Sequence, residues 1–375
     1  MDRREYLDRL DATATDVDDL FEHFERQSAR GLTYHALSDP RHGLERGTVI
    51  VEDADVVVRG YPSIPRTMVI DPGVENFFAD ARTVAIEEKL DGFNVRIVDV
   101  GEPLAFTRSG YICPFTTALA RERLPLDEFF TFHPDAMLCA ELVGPETPYT
   151  TTDFGTVESS AFRVFGIRNR ESGEPLPVDE RRDRCEAYDL PQPRLFDRCT
   201  PSTAAEPVRK AIADLEIADR EGVVLRSTDG RDMLKYTTES QHHDELAYAF
   251  RLPFDRGQDF IFSRIVRDAF QAMEFEEDDR RLEERAHELG ESILLPMVET
   301  IRAVDRGEPV GDRHTVRGSP STVDSLLSHL RQQSLTLEIE VDRTDGTERV
   351  VTFRKVASST RDRIEYYLEG GTVDE

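Results

Sequence analysis

Two short apolar runs, residues 83–88 and 93–98, stand on either side of the tetrapeptide Lys89-Leu90-Asp91-Gly92. Runs this brief, rich in Val, Ile and Phe, suit strands better than helices, and Asp-Gly is a turn dipeptide. A chain that breaks so sharply between two apolar strands must build a sheet whose polar corner stays near solvent. The pattern continues downstream. Asp99-Val100-Gly101-Glu102 turns the chain into a third run at 104–107, and further runs lie at 137–143 and 161–167. Residues 222–226 and 232–236 predict a hairpin about Thr228-Asp229-Gly230. Helical spacing enters only at 179–188 and 203–217. Residues 69–240 thus read as an antiparallel sheet unit with helices set apart, an α+β arrangement.

The flanks have a different texture. Leu7, Leu10, Val17, Leu20, Phe21 and Phe24 fall near helical spacing, which predicts helix over 3–30 with Gly31 as its stop. Strands follow at 48–51 and 55–59, then a Pro-broken connection over 60–66, so residues 1–68 form a small N-terminal module. After Thr238 the chain is charged and helical in period through 305. Phe260, Ile261, Ile265, Val266, Phe270 and Met273 make an apolar stripe expected to be buried. A loop is expected over 306–320, a helix over 321–331, a hairpin from 335–341 and 349–354 about Asp345-Gly346, and a closing helix over 358–369. Residues 241–375 are therefore a mainly helical region suited to docking or self-association.

Charge decides less about function than its size suggests. The net charge is −28, which by itself argues against a nucleic-acid partner. Yet the carboxylates are spread along the whole chain, and only four of the 47 basic side chains are lysines: Lys89, Lys210, Lys235 and Lys355. Distributed acidity with Arg over Lys resembles proteins of organisms that keep molar salt in the cytoplasm. A Debye length of about 3 Å at 1 M salt screens such a surface, and a polyanion can still bind in a locally suitable groove. Cys113, Cys139, Cys185 and Cys199 form no Cys-x-x-Cys pair, which fits reduced thiols in a cytoplasmic protein. There is neither a long apolar run nor an apolar leader, so no membrane association is expected.

In a chain that writes Arg wherever charge suffices, a retained lysine invites a chemical reason. An ammonium can lose its proton and attack, whereas a guanidinium stays protonated. A nucleotide α-phosphate is a suitable electrophile, and its leaving pyrophosphate needs a divalent cation and further positive charge. Candidates for these tasks sit at strand ends. Arg108 lies in Thr107-Arg108-Ser109-Gly110, where a polar turn can approach a ribose or phosphate. Glu141 interrupts an apolar strand, so it faces either water or a ligand. Phe165 offers a ring for stacking or for the core. Glu221 stands at the mouth of Gly222-Val223-Val224-Leu225-Arg226, and Lys235 is the second lysine on a strand.

Taken in order, Lys-x-Asp-Gly, a strand Glu, Phe-x-x-Phe, Glu-Gly-Val-Val and a strand Lys resemble the covalent nucleotidyltransferase superfamily of DNA ligases, RNA ligases and capping guanylyltransferases. The likeness covers about 83–238. Asn94, five places after the lysine where DNA ligases and capping enzymes usually carry Arg, is similar to the RNA-ligase branch. Glu-Lys-Leu-Asp-Gly-Phe-Asn-Val-Arg, Thr-Arg-Ser-Gly-Tyr-Ile-Cys-Pro-Phe-Thr-Thr and Glu-Leu-Val-Gly-Pro-Glu-Thr-Pro-Tyr resemble the archaeal homodimeric ATP-dependent RNA ligases.

That resemblance implies an α+β fold with an antiparallel-sheet, ATP-grasp-like ligase core, a small N-terminal module and a mainly helical C-terminal region for dimerisation. It implies an enzyme that uses ATP and Mg²⁺ or Mn²⁺ to join RNA 5′-phosphate and 3′-hydroxyl ends, some relatives accepting single-stranded DNA ends. Lys89 would carry AMP, and Glu87 would face the adenine edge. Asp91 and Glu221 would support the metal-bound phosphates, and Asn94 would touch the α-phosphate or a water on its metal. Arg108 and Glu141 would hold the ribose, Phe165 would stack on adenine, and Lys235 would orient the α-phosphate. The chain departs from the pattern in two places. Gly166 stands where an acidic residue often follows the second Phe, and Arg226 with a single Lys235 replaces a lysine-richer ending, Arg226 being expected to neutralise phosphate. A DNA ligase, a capping-type enzyme and a non-catalytic nucleotide- or RNA-binding dimer are the alternatives.

Overall fold

The computed structural model describes residues 5–150, 155, 157–255 and 257–373. The N-terminal tetrapeptide, and with it the first two residues of the helix expected over 3–30, lies outside them. In the rest of that span the helix expectation holds only in part. The chain forms α1 (Glu5–Leu10) and α2 (Val17–Phe21), the latter capped by Asp16, which accepts from the Asp19 N–H at 2.9 Å. It then enters a hairpin, β1 (Phe24–Ala29) and β2 (Leu32–Leu37), paired from Phe24↔Leu37 to Ala29↔Leu32. Arg30 (φ 55°) and Gly31 (φ 80°) make its two-residue loop. Positive φ at both loop positions matches the twist of the strands, so Gly31 turns a hairpin and does not end a helix. With β3 (Val49–Val51) and β4 (Val56–Val58) the hairpin completes a four-stranded sheet.

The connection over 60–66 has no regular element of its own, yet it is not loose. Pro65 O accepts from Lys235 N at 2.9 Å, and Lys235 O accepts from Thr67 N at 3.2 Å. A short helix, α3 (Asp71–Phe77), leads into two antiparallel sheets. One has the order β7-β6-β8-β9, from β6 (Phe93–Asp99), β7 (Pro103–Thr107), β8 (Ala136–Val143) and β9 (Ala161–Asn169). The other has the order β10-β5-β11-β12, from β5 (Val84–Lys89), β10 (Leu195–Cys199), β11 (Gly222–Ser227) and β12 (Met233–Thr237). Helices α4 (Pro114–Arg123), α5 (Leu126–Phe132), α6 (Val178–Ala187) and α7 (Ala205–Ile217) cover their outer faces. The sheet strands follow the sequence pattern closely. Helices α3, α4 and α5 and the edge strand β10 carry little periodicity and were not legible in it.

Beyond β12 come α8 (Glu239–Arg251), α9 (Gln258–Glu274) and α10 (Asp279–Asp305), then β13 (Gly311–Gly318), α11 (Pro320–Gln332), β14 (Leu337–Asp345), β15 (Glu348–Val356) and α12 (Ser358–Leu368). The loop expected over 306–320 is therefore mostly strand. β13 pairs with β15 from Gly311↔Val356 to Gly318↔Arg349 in a sheet ordered β13-β15-β14. This sheet is no separate body, because Val316, Leu326 and Phe353 share one buried core with Val95, Phe115, Phe129 and Leu138. The apolar stripe of α9 is the clearest reversal. Phe270 and Met273 are exposed, with Phe262 beside them, while Phe260, Ile261, Ile265 and Val266 are half-buried. The face turned inward is polar. Asp268 pairs with Arg285 at 2.6 Å and His243 at 3.4 Å, and the Gln271 amide donates to Thr237 O at 3.0 Å. Those contacts fix the rotation of α9, and its apolar side is left outward.

Burial also makes the C-terminal sheet pH-sensitive. His314 on β13 is buried beneath Phe353, and this desolvation, with Lys355 nearby, pushes its pKa down to about 3. A group neutral when folded but protonated when unfolded contributes stability that is lost as pH falls below its unfolded value of about 6.5. Urea midpoints should therefore drop between pH 7 and 5 by an amount worth about 2 kcal/mol, and His314→Gln should flatten that dependence. Equal slopes for the two proteins would assign the effect elsewhere. No helix among the described residues is long and apolar enough to cross a membrane, and all four cysteines are free thiols.

Candidate active site

The tetrapeptide Lys89-Leu90-Asp91-Gly92 is the point at which the chain leaves one sheet for the other, since β5 and β6 belong to different sheets. The crossing must hug β8. A Cβ on Gly92 would stand 2.6 Å from Leu142 O and 2.7 Å from Glu141 Cγ, so only glycine fits. Between the sheets lies a cleft of about 120 Å³, partly open to solvent. Eight of the ten residues singled out in the sequence line it: Glu87, Lys89, Asn94, Arg108, Glu141, Phe165, Arg226 and Lys235. Asp91 and Glu221 lie past Lys89, in a second, carboxylate-rich cavity that continues toward α8 and β13.

Register explains the convergence. Lys89 pairs with Gly222, Glu87 with Val224, and Val224 in turn with Lys235, so alternate residues of three strands project toward one cleft. Asn94 and Glu141 are likewise paired across β6 and β8. The Lys89 ammonium is salt-bridged to Glu221. Burial works to lower its pKa, but the Glu221 carboxylate overcomes that and the net shift is upward. Lys235 has the opposite balance. Burial, reinforced by Arg66 and Lys89, lowers its pKa to about 8. Burial also raises the Glu141 carboxyl to about 8 despite the opposing charge of Lys89. The other oxygen of Glu221, Oε2, is buried without a hydrogen-bond partner among the described residues, and so is Asn94 Oδ1. Orphaned buried oxygens of this kind call for a cation, a water or a donor from a ligand.

Glu87 lines the cleft with partners that its place in the sequence did not show. It is buried at the cleft floor amid three guanidiniums: Arg181, Arg182 at 2.9 Å and Arg226 at 3.2 Å. Burial alone would raise its pKa, but Arg181 and Arg226 overcome that and it is lowered. Arg226 is consequently an internal counter-ion here, pairing Glu87 and hydrogen-bonded to the Tyr61 hydroxyl at 3.2 Å. It sits opposite Ala85, four residues along β5 from Lys89, or roughly 13 Å at strand spacing. Arg226 thus stands apart from Lys89, while Lys235, opposite Val224, is only two residues from it along β11, and both line the cleft. Phe165 reaches the cleft through a bulge. The β8–β9 register jumps from Cys139↔Gly166 to Ala140↔Val164, leaving Phe165 unpaired and turned out of the core face that Phe162, Val164 and Ile167 fill. Its ring meets Tyr61 edge-on, centroids 5.2 Å apart.

Several lining groups escaped the sequence reading. Tyr61, Pro62 and Ile64 come from the connection over 60–66 and wall one side of the cleft. Arg66 is half-buried and bridged to Lys235, and Arg181 fastens α6 to the floor through Glu87 and Phe165 O. Only the Pro-broken stretch hinted at the first group; nothing in the spacing of Arg181 marks it among 47 basic residues.

Two family models match the chain: one described as RNA ligase over residues 82–237, and one described as the C-terminal region of ligase Pab1020 over residues 248–371. A protein of Methanocaldococcus jannaschii described as uncharacterized protein MJ0414 is 40% identical over 340 residues, covering 88% of this chain and 85% of its own length. Two solved forms of an archaeal ATP-dependent RNA ligase superpose with TM-scores of 0.92 and 0.91, at 37% identity and with complete coverage of both chains. An Aquifex aeolicus structure described as a candidate ATP-dependent DNA ligase has a TM-score of 0.87 at 25% identity, covering 94% of this chain and 97% of its own. With the fold shared over the full length of both chains and two ligase family models matched in order along it, the chain belongs to the family of archaeal ATP-dependent RNA ligases.

Proposed function

We propose that this protein is an ATP-dependent RNA ligase that works through a lysine–AMP intermediate. The observation that carries the reading is the Lys89 ammonium, paired with Glu221 at the mouth of a cleft between two sheets that gathers the other polar strand residues. In the first step the neutral Lys89 amine attacks the α-phosphorus of ATP. The bond to pyrophosphate breaks, the amine proton passes to solvent, and AMP remains on Lys89 as a phosphoramidate. The AMP is then transferred to an RNA 5′-phosphate with release of free lysine, and a 3′-hydroxyl displaces AMP to close the phosphodiester. Lys235 approaches the α-phosphate from β12, and its buried setting makes it responsive to the phosphate charge. Glu141 and Arg108 hold the ribose, with Asn94 near the α-phosphate. Phe165, braced by Tyr61, supplies the stacking face, while Glu87 is held in place by its arginines. Positioning and charge supply most of the rate.

The donor set fits a divalent cation, Mg²⁺ or Mn²⁺: Glu221 Oε2 is a buried oxygen with no donor among the described residues, and Asp91 lines the same cavity. When bound there, the cation would neutralise charge on the leaving pyrophosphate. The test is incubation with α-labelled ATP and either cation in molar salt, followed by addition of 5′-phosphorylated single-stranded RNA. Labelled protein and joined or circular RNA are expected. Label from GTP alone would assign a capping-type activity, and preferential sealing of nicked duplex DNA would assign a DNA ligase.

The residue boundaries 1–68, 69–240 and 241–375 describe an N-terminal module, an adenylylation domain and a C-terminal dimerisation region. Support for a homodimer comes from α9, whose outward Phe262 is 68% and Met273 63% exposed. Apolar side chains gathered on one helix face in so acidic a chain favour a self-complementary contact. Replacement of both Phe262 and Met273 by Glu should convert a dimer into a monomer by light scattering in molar salt. A monomeric wild type would remove the idea. The −28 charge and near absence of lysine support a halophilic archaeal cytoplasm as the setting.

A further inference from the structure

A groove of about 1040 Å³ runs between three parts of the chain that meet beside the cleft: the β1–β2 hairpin, the turn after β7, and helix α11. Its chemistry is unlike that of the surrounding surface. One residue in five of this chain is Asp or Glu, and the neighbouring cavity past Lys89 holds six carboxylates among 17 lining residues. The groove also has 17 lining residues, but only one carboxylate, Asp324, which is paired with Arg349 at 2.6 Å. Its single arginine, Arg30, is taken up by Glu102 at 3.1 Å. What remains is hydroxyls, amides and rings, including Ser28 and Gln27 on one wall and Ser328 and Gln332 on the other.

The groove ends at the reacting centre. Thr107 and Ser109, which line it, flank Arg108 of the nucleotide cleft, and Phe93, which also lines it, precedes Asn94. Where the groove meets the acidic cavity, Tyr149 is stacked on Phe93 with centroids 3.8 Å apart and planes 16° from parallel. On a molecule of charge −28, a path nearly free of unpaired carboxylates is where a polyanion meets least repulsion. Uncharged donors and aromatic faces bind single strands by hydrogen bonds and base stacking. Phosphate–cation contacts, which lose strength steeply with salt, are few there: Arg30 is paired with Glu102, and Arg46 reaches Ser109 at 2.8 Å at the end beside the cleft.

We propose that this groove guides a single-stranded RNA end to Lys89 and binds it by hydrogen bonding and stacking rather than by charge. The inference rests on the ligase reading above and adds the path and mode of RNA binding. Three full-length variants test it: Ser328→Glu, Ser28→Glu and the α11 double variant Ser328→Glu/Gln332→Glu, all at exposed positions outside the cleft. ATP labelling of the protein should be unchanged in each. The KM for a 5′-phosphorylated single-stranded RNA should rise roughly tenfold for the α11 double variant, because each change adds a like charge beside the strand. The affinity of the wild type for that RNA should fall with salt at a log–log slope no steeper than about −2, corresponding to about three phosphate contacts or fewer at about 0.7 each. An unchanged KM in all three variants with ATP labelling intact would overturn the groove, as would a steep salt slope. Absence of ATP labelling in the wild type would instead sink the ligase reading. If the variants lose self-association while keeping their KM, the groove seats a second copy of the chain and the proposal is likewise overturned.

Discussion

Replacement of Lys89 by Ala should abolish labelling of the protein by α-labelled ATP, with a fall of at least about 10³-fold in the adenylylation rate. Lys89→Arg should do the same, and that second variant carries the argument. A guanidinium preserves positive charge at the cleft mouth but does not supply a neutral nitrogen to attack phosphorus. If Lys89 only bound phosphate by charge, Arg would retain much of the signal. Pairing with Glu221 keeps the resting lysine protonated, so folding alone does not expose a reactive amine. Both variants should still join RNA that has been adenylylated beforehand on its 5′ end, because that last step does not use the lysine as a nucleophile. Loss of that activity as well, with the fold intact by circular dichroism, would show Lys89 acting elsewhere in the reaction.

The second large effect is on stability. Glu87→Gln should destabilise the two-sheet unit by on the order of 3–5 kcal/mol, because it leaves buried guanidiniums without their counter-ion. Glu87 is 1% and Arg181 3% exposed, so water cannot take over the pairing. A melting temperature lower by about 10 °C is expected from that loss, followed by circular dichroism in molar salt. Screening by salt should not rescue it, since screening acts mainly on exposed pairs. A surface pair such as Arg280–Glu284, with Arg280 85% exposed, serves as the control, and its removal should cost under about 1 kcal/mol. If Glu87→Gln melts with the wild type, the residue serves the ligand and not the floor of the cleft.

These two residues show how far linear reading carries. Lys89 was conspicuous because lysine is rare here, and Lys235 for the same reason; both face the cleft. The same argument would have promoted Lys210 and Lys355, which do not line it. Lys210 is exposed on α7, and Lys355 reaches across to Pro148 O beside the Tyr149 ring. Scarcity picked suspects, and the order of motifs along alternating strands separated them. Glu87 was legible as a residue two places before the lysine, but its three arginines come from α6 and β11, about a hundred or more positions away. Arg226 was expected to neutralise phosphate because it closes the Glu221–Arg226 motif; register sets it opposite Ala85, four residues along β5 from Lys89, where it pairs with Glu87.

Periodicity determined most strands of the two central sheets, since alternation and turn dipeptides are local properties. It also determined the helical texture of 240–305. Tertiary structure decided which face of α9 is buried: ion pairs at Asp268 outweighed the apolar stripe, an outcome no hydrophobic period contains. It decided that Arg30-Gly31 closes a hairpin, and that a bulge at Phe165 turns a ring from the core into the cleft. It also placed the connection over 60–66 as a wall of the site. Each of these depends on a partner distant in sequence. Chemistry carried by a residue's own identity was readable in the chain; chemistry that depends on which groups become neighbours was set only when the two sheets closed around Lys89.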